Sequence, residues 1–160
     1  MSISYTVYFE NPQEIEGFTD NLQKALELRL EIKRQQKGYE IVGIPDLQVF
    51  HLPVGALGSL LVKEDYGFTP HLCLSIRLDK WQLEKSQDRM VSLFCACIQS
   101  TEGALLALRE HESSVFYRRE DRFEMNVRDA VWYKRSRKVR FQAFLKTVVT
   151  LPIVEVSEQL

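Results

Sequence analysis

An unbroken alternation of apolar and other residues between positions 72 and 78 constrains the fold of this chain more than any other feature. Successive side chains of a strand point to opposite faces, so the alternation predicts a strand with two chemically different sides. One side is fully apolar and consists of Leu72, Leu74, Ile76 and Leu78. The other side is small, polar or charged and consists of Cys73, Ser75, Arg77 and the following Asp79. Such a strand packs one face on a core, so we expect function on the other face.

The composition is that of an ordinary globular protein, with 160 residues, 45% hydrophobic residues and a formal net charge of −1. This length predicts one domain over residues 1–160. The near-zero charge gives no general attraction to nucleic acid or to anionic membranes. We expect a cytoplasmic protein with reduced thiols, because the chain has three cysteines, no secretory signal at its N-terminus and no apolar run long enough to span a membrane.

Residue periodicity predicts the order strand, helix, two strands, helix, three strands, helix. The predicted strands cover 3–9, 47–52, 72–78, 105–109, 115–119 and 123–127. Three helices are predicted. The first starts at Asn11-Pro12, the second starts at Ser86, and the third covers residues 137–148. Residues 53–70 contain two prolines and three glycines and are predicted to form a surface loop. The fold class is therefore α+β, with an antiparallel or mixed sheet of about six strands and helices packed mainly on one face.

Cysteine and histidine spacing does not indicate a metal site, a cofactor site or a catalytic centre. His51, His71 and His111 lie too far apart in sequence for a helical metal-binding pair. Cys73 shares a strand face with His71, but no carboxylate can be placed to orient the imidazole as a general base. The chain lacks the glycine-rich motifs that bind nucleotides, and we expect a protein that is not an enzyme.

A basic cluster occupies residues 134–140, where five of seven residues are Lys or Arg: Lys134, Arg135, Arg137, Lys138 and Arg140. Such a cluster is typical of a phosphate-binding strip, and equally of the solvated face of an amphipathic helix. The apolar stripe that starts at Phe141 favours the helix. Nucleic acid is therefore the less favoured partner.

The second face of the sheet is the better candidate for function, because it combines tyrosine and arginine with small polar side chains. A flat surface of this composition suits protein recognition. We predict that it carries the partner-binding residues Tyr8, Arg77, Asp79, Arg109 and Glu124.

The segment from Tyr66 to Lys80 resembles the hallmark segment of the third type of Sit immunity proteins. The resemblance rests on Gly67-Phe68 with Pro70 two residues on, on the alternating strand, and on Arg77-Leu78-Asp79-Lys80. It implies a non-enzymatic protein that occludes a cognate toxin of a bacterial swarming-inhibition or related polymorphic toxin system. Relative to the family, the helix near 133–150 looks like an addition.

An alternative function stays open, namely a small-ligand-binding protein or an enzyme with a pocket near the 53–70 loop. Its mark would be titratable side chains that converge beside an apolar cavity.

Overall fold

Nine strands form a single sheet in the computed structural model, which describes residues 3–157. The sheet order is β2-β3-β4-β5-β1-β6-β7-β8-β9. Neighbouring strands are antiparallel except β8 and β9, which are parallel, so the sheet is mixed. The strands are β1 Ile3–Phe9, β2 Glu31–Gln35, β3 Gly38–Val42, β4 Leu47–Leu52, β5 Leu72–Leu78, β6 Leu105–Arg109, β7 Ser113–Arg118, β8 Phe123–Asn126 and β9 Ile153–Val156.

Three of the four α-helices pack on one face of the sheet, called here the helix side. They are α1 Ile15–Leu26, α3 Leu83–Ser100 and α4 Arg135–Val148, and two short 3-10 helices, Lys80–Gln82 and Ala130–Trp132, precede α3 and α4. The remaining helix, α2 Ala56–Tyr66, packs on the opposite face. The predicted α+β class, with helices mainly on one face, is therefore confirmed.

The main core lies between the sheet and the three helices of the helix side. Phe94 of α3 is fully buried and meets Tyr5 of β1 and Phe116 of β7 edge to face, with ring centroids 6.2 Å and 5.2 Å apart. Full burial of one such side chain contributes about 1.5–3 kcal/mol. A second, smaller cluster lies on the opposite face under α2. This arrangement leaves part of that face uncovered.

The strands at the centre of the sheet match the sequence analysis, and those at its edges do not. β1, β4, β5 and β6 have the predicted bounds, and β7 and β8 differ by one or two residues. The hairpin β2–β3 was missed because Glu31–Gln35 is highly charged and exposed, and β9 was missed at the end of the chain. The sheet therefore has nine strands rather than about six.

The predicted loop at 53–70 is wrong, since most of it is helix α2. Gly55 is its N-cap and Gly67, with φ 83°, is its C-cap, so the glycines that predicted a loop in fact lie at the two ends of a helix.

Two predicted helix starts are also wrong. α1 starts at Ile15 with Glu14 as its N-cap, and the Asn11 side chain instead donates to the carbonyl of Glu102. α3 starts at Leu83, and Ser86 lies buried inside it.

Candidate protein-docking face

The face opposite the helix side is built by alternate residues of the central strands, as predicted. The register pairs Ser4 of β1 and Gln48 of β4 with Arg77 of β5. The same register pairs Ser75 with Phe50. Because directly paired residues project to the same side of a sheet, these side chains form one surface.

Helix α2 covers the part of this face that lies over β1, β6 and β7. Val62 of α2 packs with Tyr8, Leu106 and Tyr117 in the second apolar cluster. Tyr8 is therefore only 6% exposed, and burial raises the pKa of its hydroxyl. Tyr8 lies on the predicted face, but it is buried beneath α2 rather than on the open surface.

The uncovered part of the face contains the open strip, defined as Gln48, Phe50, Ser75 and Arg77. Arg77 is exposed, and its guanidinium carbon lies 5.6 Å from the centre of the Phe50 ring. Within residues 3–157 Arg77 has no ion pair. The strip therefore presents an unpaired cation supported by an aromatic ring.

Asp79 lies at the end of the open strip, just beyond β5. One of its carboxylate oxygens accepts a hydrogen bond from the backbone N–H of Trp81 at 2.9 Å, which caps the first 3-10 helix. Trp81 is 82% exposed. A shallow cleft of about 430 Å³ runs between Asp46, Gln48, Arg77 and Asp79. The strip and its end thus carry both signs of charge and an exposed indole.

The prediction that Arg109 faces this side is wrong. Arg109 pairs with Tyr5 and lies on the helix side, at the edge of the core. It is close enough to act electrostatically on the buried Tyr5–Asp129 pair, in which burial raises both pKa values. Residues 105–108 are apolar on both faces of β6, so the sequence offered no alternation from which to assign Arg109 a side.

Glu124 lies on the predicted face, but its charge is used within the chain. It pairs with Tyr117 across β7 and β8, and its carboxylate binds Arg119 and also Arg122, the latter at 3.1 Å. Its side chain is only 15% exposed. The structure thus brings Arg77 and Asp79 together at the open strip and places Tyr8, Arg109 and Glu124 elsewhere.

Side chains of the basic cluster at 134–140 form ion pairs and hydrogen bonds that join α4 to α3. Arg137 is 3% exposed and its Nε lies 2.9 Å from a carboxylate oxygen of Asp88. Lys134 pairs with Glu84 at 3.4 Å, and Arg140 donates to the backbone carbonyl of Asp88 at 2.8 Å. Three of the five cationic side chains are therefore bonded within the fold.

The cysteines are poorly suited to nucleophilic chemistry or metal binding. Burial raises the pKa of Cys73 to about 11 and those of Cys95 and Cys97 to about 12, which keeps all three protonated at neutral pH. His71 donates its Nδ1–H to the carbonyl of Glu10 at 2.6 Å. In the described chain, residues 3–157, no three His, Cys, Asp or Glu side chains converge as a metal site would require.

Helix α2 carries features that the sequence analysis missed. Leu57, Leu60 and Leu61 are exposed by 70%, 51% and 47%, and a cavity of about 360 Å³ opens between the helix and the sheet. The spacing i, i+3, i+4 of these leucines was the available signal, but the glycines around them predicted a loop.

Comparison with known protein families places most of the chain in a described family. The sequence profile of a protein family described as SitI3-like matches residues 3–136. No curated protein and no solved structure matches the chain. The matched region contains β1 to β8 and ends two residues into α4.

Proposed function

Since this chain belongs to the SitI3-like family, we propose that it is an immunity protein that binds a cognate bacterial toxin through the open strip and so neutralises it. The family supplies the role. The residues of the strip supply the proposed contact surface. Neutralisation is proposed to be non-enzymatic, by occlusion of the toxin, with no cofactor.

The unpaired state of Arg77 is the observation that carries this proposal. A guanidinium forms two parallel hydrogen bonds with a carboxylate, and these bonds are stronger than bonds between neutral groups. Arg77 needs no internal bond to be broken before it binds, since none of residues 3–157 forms an ion pair with it. The ring of Phe50 beneath it offsets part of the desolvation. We therefore expect an acidic side chain of the toxin at Arg77.

Asp79 and Trp81 extend the proposed contact beyond the strip. Interfaces draw most of their affinity from a few Trp, Tyr and Arg side chains, and charged pairs at the rim set specificity and association rate. Trp81 is the most exposed large apolar side chain of residues 3–157, at 82%. Asp79 carries the opposite charge to Arg77 at the end of β5. A toxin with complementary charges in the same order would be selected over others.

The proposed place of action is the cytoplasm, where the three free cysteines stay reduced. No helix within residues 3–157 combines the length and the apolar character needed to cross a membrane.

Co-purification with a candidate toxin encoded beside this gene tests the proposal. The chain should form a stable complex with the catalytically inactivated toxin domain and should protect cells that express the active one. Failure of the purified proteins to associate, together with absence of protection, would overturn it.

A further inference from the structure

The cavity under α2 has walls of two kinds. Leu57 and Leu61 of α2 and Leu108 of β6 form an apolar wall, and Asp65 and Glu112 line the cavity with carboxylates. Its volume of about 360 Å³ lies within the range of about 300–1,000 Å³ for ligand pockets. The cavity can therefore hold a group that is partly aliphatic and partly polar.

The cavity is lined by negatively charged side chains without a compensating Lys or Arg among the described residues. Asp65 and Glu112 are both exposed, and neither has a cationic partner anywhere in residues 3–157. No Lys or Arg of the described chain lines the cavity. Two unpaired carboxylates beside an apolar wall favour a cation that carries an aliphatic stem.

The turn that closes the cavity is strained. Glu110 and His111 have φ values of 52° and 61°, a left-handed conformation that turns of this kind usually give to Asn and Gly. The turn places Nδ1 of His111 3.4 Å from the hydroxyl of Tyr8 at the cavity wall. Strain of this type is common at binding sites, where the side chain is needed despite its backbone cost.

We propose that the cavity receives an arginine or lysine side chain of the partner protein. Its aliphatic stem would lie along Leu57 and Leu61, and its cationic group would bind Asp65 and Glu112. Leu60, 51% exposed beside them, would be covered by the partner's backbone. The inference rests on the proposed function, because the partner is the toxin, but it adds a second contact distinct from the open strip.

A pair of isosteric probes tests the chemistry of the cavity without the toxin. The full chain is titrated with n-butylguanidinium and with neutral n-butylurea, and the methyl NMR signals of Leu57 and Leu61 are followed. We expect saturable shifts and an affinity for the cation at least about fivefold higher. Asp65→Asn with Glu112→Gln should abolish that preference, whereas Glu64→Gln, outside the cavity on the same helix, should keep it. Equal affinity for both probes, or shifts that do not saturate, would overturn the inference.

The toxin complex separates this inference from the proposed function. Asp65→Asn with Glu112→Gln should weaken the complex about fivefold to tenfold. A complex of unchanged affinity would reject the cavity contact and leave the proposed function standing. If the wild-type chain does not bind the toxin at all, the proposed function fails and with it the named partner, while the probe titration still decides whether the cavity selects cations.

Discussion

Arg137 of α4 lies with its Nε 2.9 Å from the carboxylate of Asp88 on α3, and its side chain is only 2% exposed. The same guanidinium donates to the carbonyl of Val131 at 3.1 Å. Arg137, whose sequence context is typical of a nucleic-acid-binding strip, thus joins α4 to α3. The basic cluster is therefore explained first by packing of the helix side.

Arg137→Met should lower the free energy of unfolding by about 2–4 kcal/mol, because it leaves the Val131 carbonyl buried and unpaired and breaks the ion pair with Asp88. Urea unfolding followed by circular dichroism measures the change. Arg135→Ala, at an exposed position of the same helix, is the control and should change stability by less than about 0.5 kcal/mol. Equal effects of the two substitutions would contradict this account of the cluster.

Two glycine substitutions should have opposite signs. Gly38 has φ 135°, and a Cβ added there would lie 2.4 Å from the carbonyl oxygen of His51, so Gly38→Ala should destabilise by about 2–4 kcal/mol. Gly17 lies in α1 with nothing within 4 Å of an added Cβ, so Gly17→Ala should stabilise by about 0.5–1 kcal/mol. Thermal melts of both variants check the pair. A melting temperature for Gly38→Ala at or above wild type would show that the β2–β3 hairpin is placed wrongly.

His51 should make the fold less stable in mild acid. Its ring is buried and its Nε2–H donates to the carbonyl of Gln13 at 2.9 Å, and burial lowers its pKa from the ordinary value of 6.5. The unfolded chain therefore takes up a proton near pH 6.5 that the folded chain does not. The free energy of unfolding falls as pH drops below about 6.5, by at most about 1.4 kcal/mol per pH unit.

His51→Gln removes that contribution while it retains a donor for Gln13. Urea unfolding of both proteins at neutral pH and in mild acid checks the difference, since the carboxylates titrate in both and cancel. The same pH slope in the two proteins would disprove the role of His51.

His111→Gly should raise the stability of the fold and lower the affinity of the cavity for n-butylguanidinium. Glycine relieves a φ of 61°, which is worth about 1–2 kcal/mol and exceeds the roughly 0.5–1 kcal/mol that glycine adds to the entropy of the unfolded chain, but it removes the ring from the cavity wall. Glu27→Gly is the matched control: it relieves a φ of 54° at the end of α1, away from the cavity. Both variants should melt higher, and only His111→Gly should bind n-butylguanidinium more weakly. Unchanged probe binding by His111→Gly would exclude the ring from the site.

The centre of the sheet could be read from the sequence because one face of each strand is buried and the other is not. Alternation then sets both the strand and its orientation, as at Arg77. Where both faces are buried the alternation disappears. Leu105 and Leu106 are both fully buried, the first in the main core on the helix side and the second in the smaller cluster under α2. The sequence of this strand therefore does not show on which face Arg109 lies.

Tertiary contacts account for the rest of the differences. The carboxylate of Glu124 is taken by Arg119 and Arg122, which no local pattern specifies. Tyr8 was assigned to the correct face, but its burial depends on α2, and the glycines at both ends of that helix predicted a loop instead. A helix bounded by glycine caps and a loop rich in glycine have similar composition, and the exposed leucines were the only local signal that separates them.

Arg77→Ala in the complex with the toxin tests the central claim most directly, with Arg135→Ala on the helix side as the matched control. Isothermal titration calorimetry gives the dissociation constants, and thermal melts of the free variants show whether the fold is kept. We predict a loss of affinity of about tenfold or more for Arg77→Ala, a change in its melting temperature of no more than about 2–4 °C, and wild-type affinity for Arg135→Ala. Wild-type affinity in Arg77→Ala would contradict docking at the open strip.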